Sequence, residues 1–122
     1  MSGSGFVVLD TNVVLYHLGD RLKQPLKKEK YAILVITEIE LLSYPKIGTE
    51  ETVKIQNFLA QTTIVGLLES IKIETIRLRR KYALKTPDAI IAATALKLNA
   101  LLLTKDKKLL SVSEIKTREV EI

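Results

Sequence analysis

In GFVVLDTNVVLYHL (residues 5–18) an apolar run, Phe6 to Leu9, stops at Asp10, and a second apolar series starts after Asn12. A carboxylate between two segments bound for a core needs a hydrogen-bond partner, a cation or access to water, because an unpaired buried charge is costly. Three further acids fall at comparable places. Glu40 lies just after the apolar run YAILVI, Asp88 opens TPDAIIAATALKLNA, and Asp106 comes two residues after LLLT. Carboxylates brought together repel and raise one another's pKa. A divalent cation relieves that conflict, and with oxygen ligands alone magnesium or manganese is the natural occupant. Such an ion lowers the pKa of bound water and offsets charge on a phosphoryl group, which is the chemistry of phosphodiester hydrolysis. Cysteine is absent and His17 is the lone histidine. That removes disulfides, thiol catalysis and thiolate metal sites, and leaves little from which to build a zinc centre.

The elements that must position these acids alternate along the chain. FVVL reads as a short buried strand, and NVVLYHL continues at helical spacing. YAILVI (31–36) is a second strand. TEIELLSYP then reads as a helix opened by a capping box, Thr37 with Glu40 three positions on, and stopped at Pro45. Residues 49–61 predict an amphipathic helix, TTIVGL a third strand, and residues 69–83 a charged but periodic helix. In TPDAIIAATALKLNA, Thr86 is the expected N-cap, Pro87 the first helical residue and Asn99 a left-handed stop. LLLT (101–104) is a fourth strand, KDKKLLS a short turn or helix, and REVEI at the end an edge strand.

Strands that are apolar throughout belong in parallel sheets covered on both faces. Their alternation with helices predicts the α/β class: a three-layer α/β/α sandwich around a mostly parallel sheet. Ligands of such sheets bind beyond the carboxyl ends of the strands, and there Asp10, Glu40 and Asp106 would all be delivered. Helix N-termini favour anions, which lets Glu40 and Asp88 face the same edge.

Each acid also has a plainer role. Asp10 suits a turn or an N-cap, and Glu40 suits the capping box. Asp88 complements a helix dipole, and Asp106, among lysines, suits a solvated turn. The chemical reading rests on all four occurring at equivalent places in one topology.

With 122 residues, 47% of them hydrophobic, the chain has the size of one domain with a real core, residues 1–122, and is not disordered. MSGSG at the start is read as a tail or tag remnant outside the fold. No apolar stretch approaches the roughly 20 residues of a membrane span, so the expectation is a soluble, cytoplasmic protein with no membrane partner. Nineteen Lys and Arg against fourteen Asp and Glu give +5, a surplus that suits an anionic partner such as nucleic acid. Aromatic residues are too few for a platform stacking many bases, and no glycine-rich loop cradles a nucleotide phosphate.

VVLDTNVVLYHL, ITEIELL, TPDAIIAATALKLNALLLT and TKD together resemble the PIN-domain ribonucleases, in particular the VapC toxins of prokaryotic toxin–antitoxin pairs. The resemblance runs from Phe6 to about Leu110 in the family order. It implies a metal-dependent endoribonuclease that leaves a 5′-phosphate and a 3′-hydroxyl, uses magnesium or manganese, dimerises, and is neutralised by a small antitoxin bound across the active-site groove. Residue by residue, it assigns Asp10, Asp88 and Asp106 to the metal, and Glu40 to the metal or to deprotonation of water. Glu38 rivals Glu40 in the same segment. Asn12 and Thr104 match polar residues that orient the acids. Basic clusters at 27–30, 77–81 and 105–108 would then hold the RNA backbone, with Arg77, Arg79, Arg80, Lys81, Lys105 and Lys107 as candidates. Two other functions compete. An aspartyl-phosphate hydrolase with Asp10 as nucleophile typically wants an acid where Asn12 stands. A non-catalytic PIN-like module that binds RNA or protein is the nearer alternative, although degenerate members lose acids and all four are present here.

Overall fold

The computed structural model describes residues 5–122, so residues 1–4 of the expected tail at 1–5 lie outside the described residues. Strand β1 (Phe6–Leu9) leads into α1 (Thr11–Leu18), and β2 (Lys30–Leu34) into α2 (Val35–Leu42). Next come α3 (Thr49–Ala60), β3 (Thr63–Val65), α4 (Glu69–Tyr82) and α5 (Thr86–Leu98). The chain finishes with β4 (Leu101–Thr104), α6 (Lys107–Leu110) and β5 (Lys116–Glu119). The five strands form one sheet in the order β3-β2-β1-β4-β5, and every pairing is parallel.

The apolar strands bury both faces, as their unbroken hydrophobicity requires. Alternate side chains divide between two cores. Val7, Leu9, Ile33 and Leu103 face α1, α2 and α3, where they meet Val13, Val14, Leu41, Ile55 and Leu59. Val8, Ala32, Leu34 and Leu102 face the other way, onto Ile71 and Leu78 of α4, the alanine-rich α5, and Leu109 of α6. Helix α5 is buried continuously from Ala89 to Ala95. Its small side chains let α4 pack over it while its other side lies on the sheet. No helix among the described residues is long and apolar enough to cross a membrane.

Three local expectations are corrected. The second strand ends at Leu34, and Val35 and Ile36 open α2 instead of extending β2. Thr37 is therefore inside the helix and Glu40 in its second turn, so there is no capping box. The Thr37 hydroxyl instead meets the hydroxyl of Thr11 at 2.8 Å, a tertiary contact replacing a local one. The N-cap of α5 is Lys85, which moves Thr86 to the first helical position and Asp88 to the third. Finally, β5 begins at Lys116, two residues before REVEI, because its register with β4 pairs Leu101 with Lys116. The left-handed stop at Asn99 is present, with φ 49° and ψ 48°.

From β1 the chain steps outward through β2 to β3, then crosses back to β4 on the other side of β1. The sheet therefore reverses direction between β1 and β4. In open parallel sheets the crevice beyond such a reversal is where ligands bind. Asp10 follows β1 and Asp106 follows β4.

Candidate active site

Asp10 sits at the reversal because β1 ends there, its backbone N–H donating to the Leu103 carbonyl at 3.2 Å. It is also the N-cap residue of α1, yet its side chain makes no capping bond. The carboxylate is left for other partners although Asp10 is only 7% exposed. Thr104, fully buried at the end of β4, donates its hydroxyl to Asp10 Oδ2 at 2.8 Å. The same Thr104 oxygen accepts from the Asp106 backbone N–H at 3.0 Å. One hydroxyl thus couples the acids of the two central strands across 94 residues of sequence.

Asp106 keeps its plainer role as well. Its Oδ1 caps α6, accepting from the N–H groups of Lys108 at 2.8 Å and Leu109 at 3.1 Å. Glu40 arrives from α2, where Thr11 donates to its Oε1 at 3.2 Å. Thr11 thereby bridges Glu40 and the buried Thr37. Glu38 lies about 200° round the helix from Glu40 at 100° per residue. Only Glu40 reaches the pocket of about 200 Å³ that it lines with Asp10, Thr11, Asn12, Thr37, Tyr44 and Asp88. Asp88 comes from the first turn of α5 and is half-buried.

The electrostatics follow from this crowding. Burial pushes the Asp10 carboxyl above its ordinary range, and the charges of Asp106 and Glu40 push in the same direction. The Thr104 hydroxyl and the Thr11 backbone N–H oppose them. Asp88 is raised too, by burial first and then by Asp106 and Asp10, while Lys85 and Lys108 act the other way. Asp10 thus feels Asp106 and Glu40, and Asp88 feels Asp106 and Asp10. Asp10, Glu40 and Asp88 line the pocket, and Asp106 lies outside its lining.

No three acidic or histidine side chains among the described residues close on a single point as a preformed metal cage. Magnesium does not require one: it keeps several waters and commonly takes one or two carboxylates, with substrate phosphates completing its shell. The residues present fit such an ion. Asp10 is buried, its ionised form disfavoured by its surroundings, and every donor facing the pocket is an oxygen. His17 is elsewhere, its ring 5.8 Å from that of Phe58.

The family description of the PIN domain matches residues 7–115. This chain belongs to the PIN domain family. None of the curated proteins matches it in sequence. Among solved structures, this PIN domain is similar to a chain of VapBC2 from Rickettsia felis bound to a DNA fragment from their promoter. That likeness has 20% identity and a TM-score of 0.79, and covers 95% of this chain and 99% of the other. A toxin–antitoxin complex from Klebsiella pneumoniae matches with 24% identity and a TM-score of 0.71, over 92% and 95% of the two chains. FitAcB from Neisseria gonorrhoeae matches with 22% identity and a TM-score of 0.70, over 91% and 95%.

Of the site residues expected from the sequence, Asp10, Glu40 and Asp88 line this pocket, while Asp106 lies outside its lining and is tied to Asp10 through Thr104. Asn12 lines the pocket but is exposed and holds none of the acids. The basic candidates are more dispersed. Arg77 forks onto Glu114 at 2.8 and 3.2 Å and also meets Glu74, and Lys81 pairs with Glu114 at 2.9 Å. Lys107 lies 3.8 Å from Glu119, and Lys105 reaches the Val120 carbonyl at 3.4 Å. Arg79 and Arg80 are exposed on α4. Sequence reasoning missed Thr11 and Thr37. Thr11 was visible as the polar residue following Asp10, whereas no sequence signal tied Thr37 to it.

Proposed function

We propose that the chain is a divalent-metal-dependent endoribonuclease acting in the cytoplasm. It would be the toxin of a VapBC-type pair, active as a homodimer and restrained by a small antitoxin protein. The observation that supports this reading is the pocket at the sheet's reversal lined by Asp10, Glu40 and Asp88 from three separate segments, with Asp106 joined to Asp10 through the Thr104 hydroxyl. The likeness to chains of the Rickettsia felis and Klebsiella pneumoniae complexes supports the antitoxin, and the surplus positive charge supports an RNA substrate.

Asp10, Asp88 and Asp106 would hold magnesium or manganese, with Glu40 beside them. When bound, that ion supplies an activated water and neutralises charge on the scissile phosphate. The chain's own residues do the rest. Thr104 fixes the Asp10 carboxylate and the Asp106 backbone in one orientation. Thr11, braced by Thr37, holds Glu40 at the rim, where its carboxylate can take a proton from the attacking water. Purified protein should cut single-stranded RNA with magnesium or manganese to give 5′-phosphate ends, and chelator and Asp10→Asn should each abolish the cut. RNA binding with no cleavage in either ion would replace this reading with that of a non-catalytic binding module.

A further inference from the structure

Three of the cations proposed to meet RNA are held by carboxylates. Arg77 and Lys81 are tied to Glu114, and Lys107 leans toward Glu119; Lys105 reaches only a neutral carbonyl, that of Val120. Lys85, outside the basic clusters, and Lys108, at the end of the 105–108 cluster, stand next to the acids. Lys85 is the residue from which α5 starts, three before Asp88; its side chain is exposed and in no ion pair among the described residues. Lys108 follows Asp106 by two, and the Asp106 carboxylate caps its backbone N–H. Its ammonium reaches the Ala83 carbonyl at 3.4 Å, a neutral partner that leaves its charge unspent. Ala83 ends α4 in the left-handed conformation, φ 54°, two residues before Lys85. The two lysines therefore flank one short connection beside the acids, and both charges are felt at Asp88.

We propose that Lys85 and Lys108 form a phosphate anchor, holding a backbone phosphate of the RNA strand next to the one aligned on Asp10, Asp88 and Asp106. The physical need is plain. A polyanion approaching four carboxylates is repelled, and cations at the rim offset that repulsion and set the strand's position. The α4–α5 connection and α6 carry these cations at fixed offsets from Asp88 and Asp106, so register on the strand and register on the metal ligands are coupled. Neither lysine takes part in bond making; both are positioning residues. The inference rests on the nuclease reading.

The test uses a fluorescent single-stranded oligoribonucleotide and the full chain, with Lys85→Gln/Lys108→Gln as the variant and Lys97→Gln as the control. Lys97 is exposed near the far end of α5, about 14 Å along the axis from Asp88 at 1.5 Å per residue. Anisotropy in chelator at low salt should show binding weakened about tenfold in the double variant. The slope of log affinity against log salt should fall by about 0.7, the value for one phosphate no longer neutralised on a single strand. Lys97→Gln should change neither, and Lys85→Arg/Lys108→Arg should restore both. With metal present, the double variant should raise KM and leave kcat close to that of the parent. Equal binding by the double variant and Lys97→Gln would overturn the anchor, as would loss of kcat with KM unchanged, or no RNA binding by the parent in chelator. If the parent cuts no RNA with either ion while the double variant still loses binding, the nuclease reading fails and the anchor stands.

Discussion

Replacing Thr104 by valine keeps the shape of a fully buried β-branched side chain and deletes one oxygen. That oxygen makes two bonds: it donates to Asp10 Oδ2 at 2.8 Å and accepts from the Asp106 N–H at 3.0 Å. A hydrogen bond to a charged group contributes about 1.5–3 kcal/mol, and a buried N–H left without a partner costs about 1–3 kcal/mol. Water at the pocket mouth recovers part of this, so the expected loss is about 2–4 kcal/mol. At about 4 °C per kcal/mol for a chain of this size, the melting temperature falls by about 8–16 °C. The loss carries a pH signature. Thr104 favours the ionised form of Asp10, so its contribution is present where Asp10 is charged and fades as pH falls through the raised pKa of that carboxyl. Urea unfolding of the parent, Thr104→Val and Thr104→Ser in chelator, at neutral and acid pH, measures both effects. Serine should restore most of the stability and of the RNA cleavage. A valine variant within about 0.5 kcal/mol of the parent at neutral pH, or a deficit that grows on acidification, would refute the idea that this hydroxyl holds the two acids.

Asp10→Asn should stabilise the metal-free protein near neutrality while abolishing cleavage. Burial holds the Asp10 carboxyl above its ordinary range in the folded protein, so the folded form binds the proton more tightly than the unfolded chain. Metal-free stability therefore declines as pH rises through that window, and thermal melts of the asparagine variant should lack the decline. Magnesium or manganese at 100 times its dissociation constant should add about 2.7 kcal/mol to the parent, with a much smaller gain in Asp10→Asn, measured by melting with and without chelator. Glu114→Gln tests the tie between α4 and the segment after α6. Arg77, Lys81 and Tyr82 hold the Glu114 carboxyl down at about 2, so its stabilisation is present above the ordinary carboxylate range and lost as pH falls from 4.5 toward 2. The difference in melting temperature between parent and variant should shrink across that interval. Leu109→Ala, at a fully buried site in α6, should cost about 2–5 kcal/mol, read by urea unfolding.

How far the sequence could be read depended on the range of the interaction involved. Continuous hydrophobicity in FVVL and LLLT reported burial on both faces, and alternation with helical segments reported a parallel α/β sheet, because side-chain periodicity is local and survives in one dimension. Asn99 announced its left-handed stop for the same reason. The end of β2 did not follow, since Val35 and Ile36 favour strands by propensity. Here the packing of Ile36 against one core and the bond between Thr37 and Thr11 override that preference.

The charged side chains divide along the same line. A carboxylate directly after a buried strand must lie at the sheet's edge, so Asp10 and Asp106 could be named in advance from the chain's own order. Whether a given lysine is spent on a carboxylate or stands ready at the rim depends on partners distant in sequence. Arg77 meets Glu114 across 37 positions and Lys108 meets Ala83 across 25, pairings that no local pattern encodes. The types of chemistry available were therefore set by composition and strand endings alone. Which cations face the acids, and which hydroxyls brace them, was decided only when β4 crossed back beside β1.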